Sequence, residues 1–247
     1  MSHDGAKKNV KGGVWVTYVV EMVRINRIRR FVMQPRTYFD PDEITARAGS
    51  MKAVGQQAAI VVERVCGDPT HDFEIIDGES RWLSAREAGI EEVLCIIRSV
   101  PYASPVEKHL ASLVANCNRS QHTPMDFSNA LQLQVREGMS QAELARATGE
   151  QPMRISLYLS LQDLHPDIQP LLEPTTPKKG RLSPAVGFSL ARVPRDKQLE
   201  ALALTRRPDG RVVKSKVDAV VATMLGHKKS RIRIGRAKRR ASIEHAL

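Results

Sequence analysis

The sequence predicts an α+β fold, in which a mixed α/β module precedes an all-helical part. Short β-branched runs bounded by turn residues recur in the first hundred positions, the pattern of strands on a half-buried sheet. Beyond Pro101 the texture changes to repeated cap, proline and acid arrangements, the signature of helix starts. The 247 residues, 42% of them hydrophobic, also suffice to fill a core in each of two ordinary domains.

After a polar leader, Val14 to Val23 has strand composition, so a strand is expected to open near Val14. Asp40-Pro41-Asp42-Glu43 supplies a capping carboxylate, a proline at the first helical position and an acid in the first turn. A helix follows, with Ile44, Ala48, Met51 and Val54 on its inward face and Gly55 as a left-handed cap. Ala58 to Val65 and Phe73 to Ile76 read as strands, Glu79 to Ala88 as a helix ended by Gly89, and Glu92 to Val100 as a strand. Ser104-Pro105-Val106-Glu107 and Thr123-Pro124-Met125-Asp126 then begin helices. Further starts are expected at Ser140, Gln151, Pro166 and Ser183, with a loop over Pro174 to Gly180, and Val212 to Leu225 has material for one amphipathic helix.

Charge and composition narrow the classes of function. The formal net charge is +11, and from Arg211 to Leu247 eleven Lys or Arg face only Asp218 and Glu244, leaving a surplus of two for the first 210 residues. Such a balance suits a polyanion whose counterions are released on binding. With no run of eighteen apolar residues and no apolar stretch at the N-terminus, the chain reads as soluble and cytoplasmic, with no membrane partner. Cys66, Cys95 and Cys117 are too dispersed for a zinc ribbon or a disulfide framework and read as buried reduced thiols. The seven histidines are scattered without metal-ligand spacing, and neither a G-x-S-x-G elbow nor a Walker A loop occurs.

One motif carries chemistry. From Met139 the chain reads MSQAELARATGEQPMRISLYLSL. Ser140 with Glu143 forms a capping box, Ala145 is small enough for a close helix crossing, Gly149 supplies a turn, and Pro152 opens a second helix whose Ile155 and Leu159 face inward. This is a helix-turn-helix over 140–162. Early residues of the second helix in such motifs meet base edges, so Gln151, Arg154 and Ser156 are the readout candidates, and Arg146 is a candidate phosphate contact. Gln pairs bidentately with adenine and Arg with guanine. The competing interpretation is an ordinary helical hairpin with solvated arginines. In the tail KKSRIRIGRAKRR, Lys228, Lys229, Arg231, Arg233, Arg236, Lys238, Arg239 and Arg240 are candidates for non-specific phosphate contact, against a solvated end that serves solubility alone.

Several landmarks in order resemble the ParB family of plasmid and chromosome partition proteins over about Val20 to Thr205. Gln34-Pro35-Arg36 with Phe39-Asp40 is similar to its early Q-P-R segment; Ser50, Gly55 and Ile60-Val61-Val62 to its next box; Asp77-Gly78-Glu79 with Arg81 and Trp82 to its G-E-x-R box; and Asn116 with Arg119 to its N-x-x-R element. The resemblance implies a sulfiredoxin-like α/β module followed by a helical DNA-binding domain. The organisation expected is a leader over 1–19 reaching into the first strand, the α/β domain over 20–102, the helical domain over 103–205 and a basic segment over 206–247.

The resemblance also implies CTP, held with magnesium in the α/β module, clamp closure around DNA and slow hydrolysis. Gly78, Glu79, Arg81, Asn116 and Arg119 are the positions it assigns to the nucleotide. Where the family carries further arginines, however, this chain has Ser80, Leu83 and Ser84, and Ala115 stands where an acid often precedes the Asn. Serine and leucine cannot replace the planar fork of a guanidinium, and a hard cation loses an oxygen ligand. Gln56-Gln57-Ala58-Ala59 likewise departs from the family's Gln-Pro after the glycine. The alternatives for these residues are structural: a turn at Gly78, a surface charge at Arg81, core packing of Trp82 and backbone capping by Asn116.

The leading expectation is a sequence-specific binder of double-stranded DNA, nucleoid- or plasmid-associated, acting in partition or a related mobile-element role. It is expected as a homodimer on paired half-sites, with a ParA-like ATPase as a partner that the resemblance implies. The rival readings are a CTP-dependent sliding clamp with weak CTPase activity, a transcriptional repressor without a partition role, and a nuclease using Asp77 and Glu79. The altered boxes make enzymatic activity the weaker expectation.

Overall fold

The structure is a computed structural model that describes residues 8–9, 15–117 and 122–226. It divides into two compact units, residues 1–162 and 163–247. In the first unit, a short pairing of β1 (Lys8–Asn9) with β2 (Trp15–Val16) precedes a five-stranded mixed sheet. Its strands are β3 (Tyr18–Arg24), β4 (Ile28–Arg29), β5 (Ile60–Arg64), β6 (Phe73–Asp77) and β7 (Glu92–Arg98), in the order β3-β7-β5-β6-β4. β7 runs antiparallel to β3 and parallel to β5, and β6 runs antiparallel to β5 and parallel to β4. Alternation selects the core: Val93, Cys95 and Ile97 of β7 point one way and pack with Ile60, Val62, Ile75 and Trp82. β3, β5, β6 and β7 begin and end within a few residues of their sequence-based expectations, β1 and β4 carry no such expectation, and Val14 lies outside the described residues.

Helix α1 (Pro41–Val54) starts as its cap requires, with Asp40 Oδ1 accepting from the N–H of Asp42 at 3.0 Å. Ile44, Ala48 and Met51 are buried, but Val54 is 63% exposed, so it lies outside the core face assigned to it. Gly55 has φ 77° and ψ 178°, a glycine conformation that ends the helix by leaving it extended rather than by a left-handed turn. Helix α2 (Glu79–Glu87) follows Gly78, and Trp82 is core, its indole N–H donating to the carbonyl of Ile25.

Helices α3 (Pro105–Cys117), α4 (Pro124–Arg136), α5 (Gln141–Thr148) and α6 (Pro152–Leu159) complete this unit. Leu113, Phe127, Leu131, Leu144, Ala145 and Ile155 form their shared core. Lys108 of α3 is buried between Glu63 and Glu74, with Phe31 under its ammonium, and Glu74 also accepts from Arg29 at 2.9 Å. A buried lysine persists only when paired, so this ionic cluster fixes α3 against β5 and β6.

The second unit contains α7 (Pro184–Leu190), α8 (Gln198–Thr205) and α9 (Lys214–Met224). Gln198 ties it together: Oε1 accepts from the N–H of His165, and Nε2 donates to the carbonyls of Asp163 and Val193. The helix expected from Pro166 forms only a 3-10 turn over Gln169–Leu172, because Pro170 interrupts it within four residues. Helix α8, in contrast, was not expected, since its start lacks the Ser/Thr/Asp-proline signal found elsewhere.

Candidate functional site

A cavity of about 280 Å³ opens where four sequence segments meet in the first unit. The loop after β4 brings Gln34, Arg36 and Phe39; α1 brings Arg47 and Ser50; the connection into β5 brings Gly55 to Ala58; and the β6–α2 turn brings Asp77 to Arg81, with Asn116 of α3 at the rim. Three guanidiniums and the start of α2 thus face one space. Unsatisfied N–H groups and the helix dipole at such a start favour an anion.

The turn that makes this possible depends on Gly78. Its φ is 100°, and a Cβ there would stand 2.6 Å from Arg81 Nη2. Arg81 folds back over the turn, donates from Nη2 to Asp77 Oδ2 at 3.2 Å and keeps its Nε buried without a hydrogen bond. It is therefore part of the cavity wall rather than a free surface charge. Glu79 is buried beside it and ion-paired with Arg30, although neither carboxylate oxygen has a hydrogen bond of regular geometry. Burial raises its pKa above the ordinary carboxylate value, against the opposing pull of Arg30 and Arg36.

Sequence reasoning missed what Ser80 contacts. Arg36 Nη1 donates to Ser80 Oγ at 3.1 Å, its Nε donates to the carbonyl of Tyr38, and its guanidinium lies 4.5 Å from the centre of the Phe39 ring. Desolvation pushes the pKa of Arg36 down, as expected for a cation held inside a wall. Arg36 and, from α1, Arg47 thus bring positive charge to the cavity from segments outside the G-E-x-R box. Only the Q-P-R landmark hinted at Arg36, and Arg47 carried no local signal.

Gln56 is spent on structure. Its Oε1 accepts from the N–H of Leu94 at 2.7 Å and its Nε2 donates to the Leu94 carbonyl at 2.9 Å, which pairs it to the edge of β7 like a strand residue. Asn116 Nδ2 donates to the carbonyl of Ser112. Arg119 lies outside the described residues. Among those described, no group of three or more His, Cys, Asp or Glu could hold a metal ion. The cavity fits a phosphate-bearing anion, and a magnesium ion there would rest chiefly on the ligand's own oxygens.

The second candidate site is the helix pair α5–α6. Ser140 Oγ accepts from the N–H of Glu143 and the Glu143 carboxylate accepts from Ser140 in return, so the capping box forms as expected. This reciprocal bonding holds the pKa of Glu143 below its usual value. Gly149 turns the chain at φ 73°, and Ile155 is fully buried. Gln151 is exposed at the N-cap of α6, Arg154 and Ser156 are exposed on that helix, and Arg146 is exposed in the last turn of α5. Arg154 is not idle: its Nε lies 3.1 Å from Glu150 Oε2, and its guanidinium lies 5.1 Å from the ring centre of Tyr158. The tail candidates Lys228, Lys229, Arg231, Arg233, Arg236, Lys238, Arg239 and Arg240 lie outside the described residues.

The cysteines follow burial. Cys95 is buried and its thiol pKa is pushed up to about 12, and that of Cys117 to about 11, so neither is a nucleophile at neutral pH. Cys66 is exposed, contrary to expectation, because it sits in the turn region after β5. No helix among the described residues is long and apolar enough to cross a membrane.

Comparison with known proteins places this architecture. The family model of the ParB N-terminal domain matches residues 11–116. A probable chromosome-partitioning protein ParB of Coxiella burnetii is 34% identical over 141 residues, covering 57% of this chain and 46% of the relative. Its counterpart from Vibrio cholerae is 29% identical over 150 residues, covering 60% and 49%. The chain spans about half the length of these relatives. A C-terminally truncated ParB from Caulobacter crescentus, solved with the centromeric parS site, superposes over 82% of this chain and 99% of that one, with a TM-score of 0.59 and 17% sequence identity. That likeness concerns the fold: an α/β module followed by helices. With the ordered landmarks from Gln34 to Asn116 and the matching family model, residues 11–116 form a ParB N-terminal domain, and the chain is similar to the ParB partition proteins.

Proposed function

We propose that the chain is a sequence-specific binder of double-stranded DNA that acts in plasmid or chromosome partition. The observation that carries this reading is the capped pair α5–α6, whose second helix buries Ile155 and leaves its opposite side exposed. The Caulobacter relative was crystallised in complex with parS DNA, which supports the same class of ligand here. In this reading the helical part over 103–205 reads DNA, with Gln151, Arg154 and Ser156 at base edges and Arg146 on a phosphate. The basic segment over 206–247 supplies sequence-independent attraction. Two copies on paired half-sites, a ParA-like ATPase partner and a cytoplasmic, nucleoid-associated location complete it.

Selection of duplexes from a random library with the full chain tests the reading, followed by binding across salt concentrations. A defined consensus that outcompetes random duplex supports it, and equal affinity for every duplex refutes it.

A second reading is favoured by the cavity. Arg36, Arg47 and Arg81 around the start of α2 form an anion site, and CTP is the occupant that the resemblance to the ParB family suggests. The residues Gly78, Glu79, Arg81, Asn116 and Arg119 remain its proposed contacts, joined now by Arg36 and Arg47. Equilibrium binding of labelled CTP, with ATP and GTP as competitors and with or without DNA, decides it. Selective CTP binding supports a nucleotide-gated protein, whereas no binding at millimolar CTP with DNA binding intact leaves a nucleotide-independent one.

A further inference from the structure

We infer that Met153 and Leu157 determine sequence specificity by reading thymine methyl groups in the major groove, an inference that rests on the helix-turn-helix reading above. At 3.6 residues per turn these two side chains stand about 40° apart around α6, and each is about 160° from Ile155. Ile155 is fully buried, whereas Met153 is 69% and Leu157 37% exposed. The centre of the outward face of α6 is therefore apolar. Arg154 lies on one flank of this stripe and Ser156 on the other, and Arg154 is already engaged with Glu150 and Tyr158. The polar candidates singled out from sequence border the outward face instead of occupying its middle.

Two apolar side chains at the middle of an exposed helix face are placed to meet apolar groups of whatever that face binds. On the edges of base pairs in the major groove, the thymine C5-methyl is such a group. The helix-turn-helix reading selects DNA over an apolar protein surface, because the second helix of such a pair lies in the major groove with its outward face against base edges. A duplex in that position presents its thymine methyl groups to the apolar stripe. The unbranched thioether of Met153 is suited to adjust to a methyl whose position varies by a few tenths of an ångström.

The test uses the full chain and the best duplex selected from a random library, with each thymine replaced in turn by deoxyuridine, which lacks only the methyl. One or two replacements should weaken binding about fourfold each, the effect of burying one carbon. Met153→Ala or Leu157→Ala should bind the thymine duplex more weakly and become indifferent to the replacement at its own position. Both side chains are exposed, and unchanged melting confirms that the variants fold. If wild-type binding ignores every deoxyuridine while Arg154→Ala still alters the selected sequence, the inference is overturned and the DNA-binding reading stands. If no sequence is selected at all, that reading falls and takes the inference with it. If the wild type self-associates, Met153→Ala abolishes this, and deoxyuridine has no effect, the stripe belongs to a second copy and the inference is overturned.

Discussion

Residues 1–162 and 163–247 each carry nineteen Lys and Arg, yet the first set faces nineteen acids and the second only eight. With more acids available, more of the first set is paired. Before Gln162, Arg27 pairs with Asp72, Arg29 with Asp68 and Glu74, Arg81 with Asp77, Lys108 with Glu63 and Glu74, and Arg154 with Glu150. After it, Lys214 pairs with Asp218 and Arg211 lies 4.0 Å from Asp209, while Lys178, Lys179, Arg206, Arg207 and Lys216 are exposed and make no ion pair among the described residues. Paired charges fix one geometry and cancel at a distance. Unpaired ones leave a long-range field for a polyanion, and salt screens that field.

The largest expected effect breaks the pairing in the first unit. Lys108→Met strands Glu63 and Glu74 in the interior, so urea denaturation should show a loss of about 3–5 kcal/mol with little change in salt sensitivity. An unchanged midpoint would mean that water reaches these glutamates and that the cluster is not what fixes α3.

Removing residues 228–247 attacks the other side of the comparison. Eight cations are lost, and each phosphate contact among them contributes about 0.9 to the negative slope of log K against log salt. Affinity for specific and random duplex should drop together, by at least about tenfold at low salt, with their ratio preserved. A fall in the ratio would assign readout to the tail. Arg154→Ala should do the reverse, costing about 1–3 kcal/mol on the selected duplex and little on random DNA. Equal loss on both would sink the assignment of Arg154 to a base edge.

A pH dependence sharpens the contrast between buried and exposed groups. Burial lowers the pKa values of His109 and His122 from 6.5 to about 4 each, and His109 Nδ1 is 2.9 Å from Gln134 Nε2. Because the unfolded state takes up these protons first, stability is complete above about pH 6.5 and declines as pH falls toward 4. The slope should be at most about 1.4 kcal/mol per pH unit for each histidine. Denaturation midpoints across this range should flatten in His109→Gln. The smallest effect is expected from Lys178→Gln with Lys179→Gln, which should reduce the salt slope by at most about 1.8. Arg27→Gln, which removes a charge already paired with Asp72, should leave that slope unchanged.

Much of this was legible in the sequence. The Asp40, Thr123 and Ser140 caps form where local chemistry demands, because a side-chain oxygen two or three residues before a free N–H needs no distant partner. The Val, Leu and Ile content of Glu92 to Val100 likewise marked β7 as a strand, and Gly78 and Gly149 marked turns that require positive φ. Where the signal was absent, reading failed: α8 has no capping residue, and Val54 fits the inward period yet lies beyond the surface that α1 buries.

By itself, then, the sequence determined the order and type of most elements, the capped helix pair α5–α6, the location of the net charge and the family resemblance, all of which depend on residues near one another in the chain. Tertiary structure alone decided which distant charges meet. It brought Arg36 to Ser80 across 44 positions, spent Gln56 on Leu94, buried Lys108 between two glutamates and turned Met153 and Leu157 outward. The physical reason is that a side chain's electrostatic partner and its exposure depend on chain closure. Local patterning fixes the periodicity of each element but not which other element will cover it.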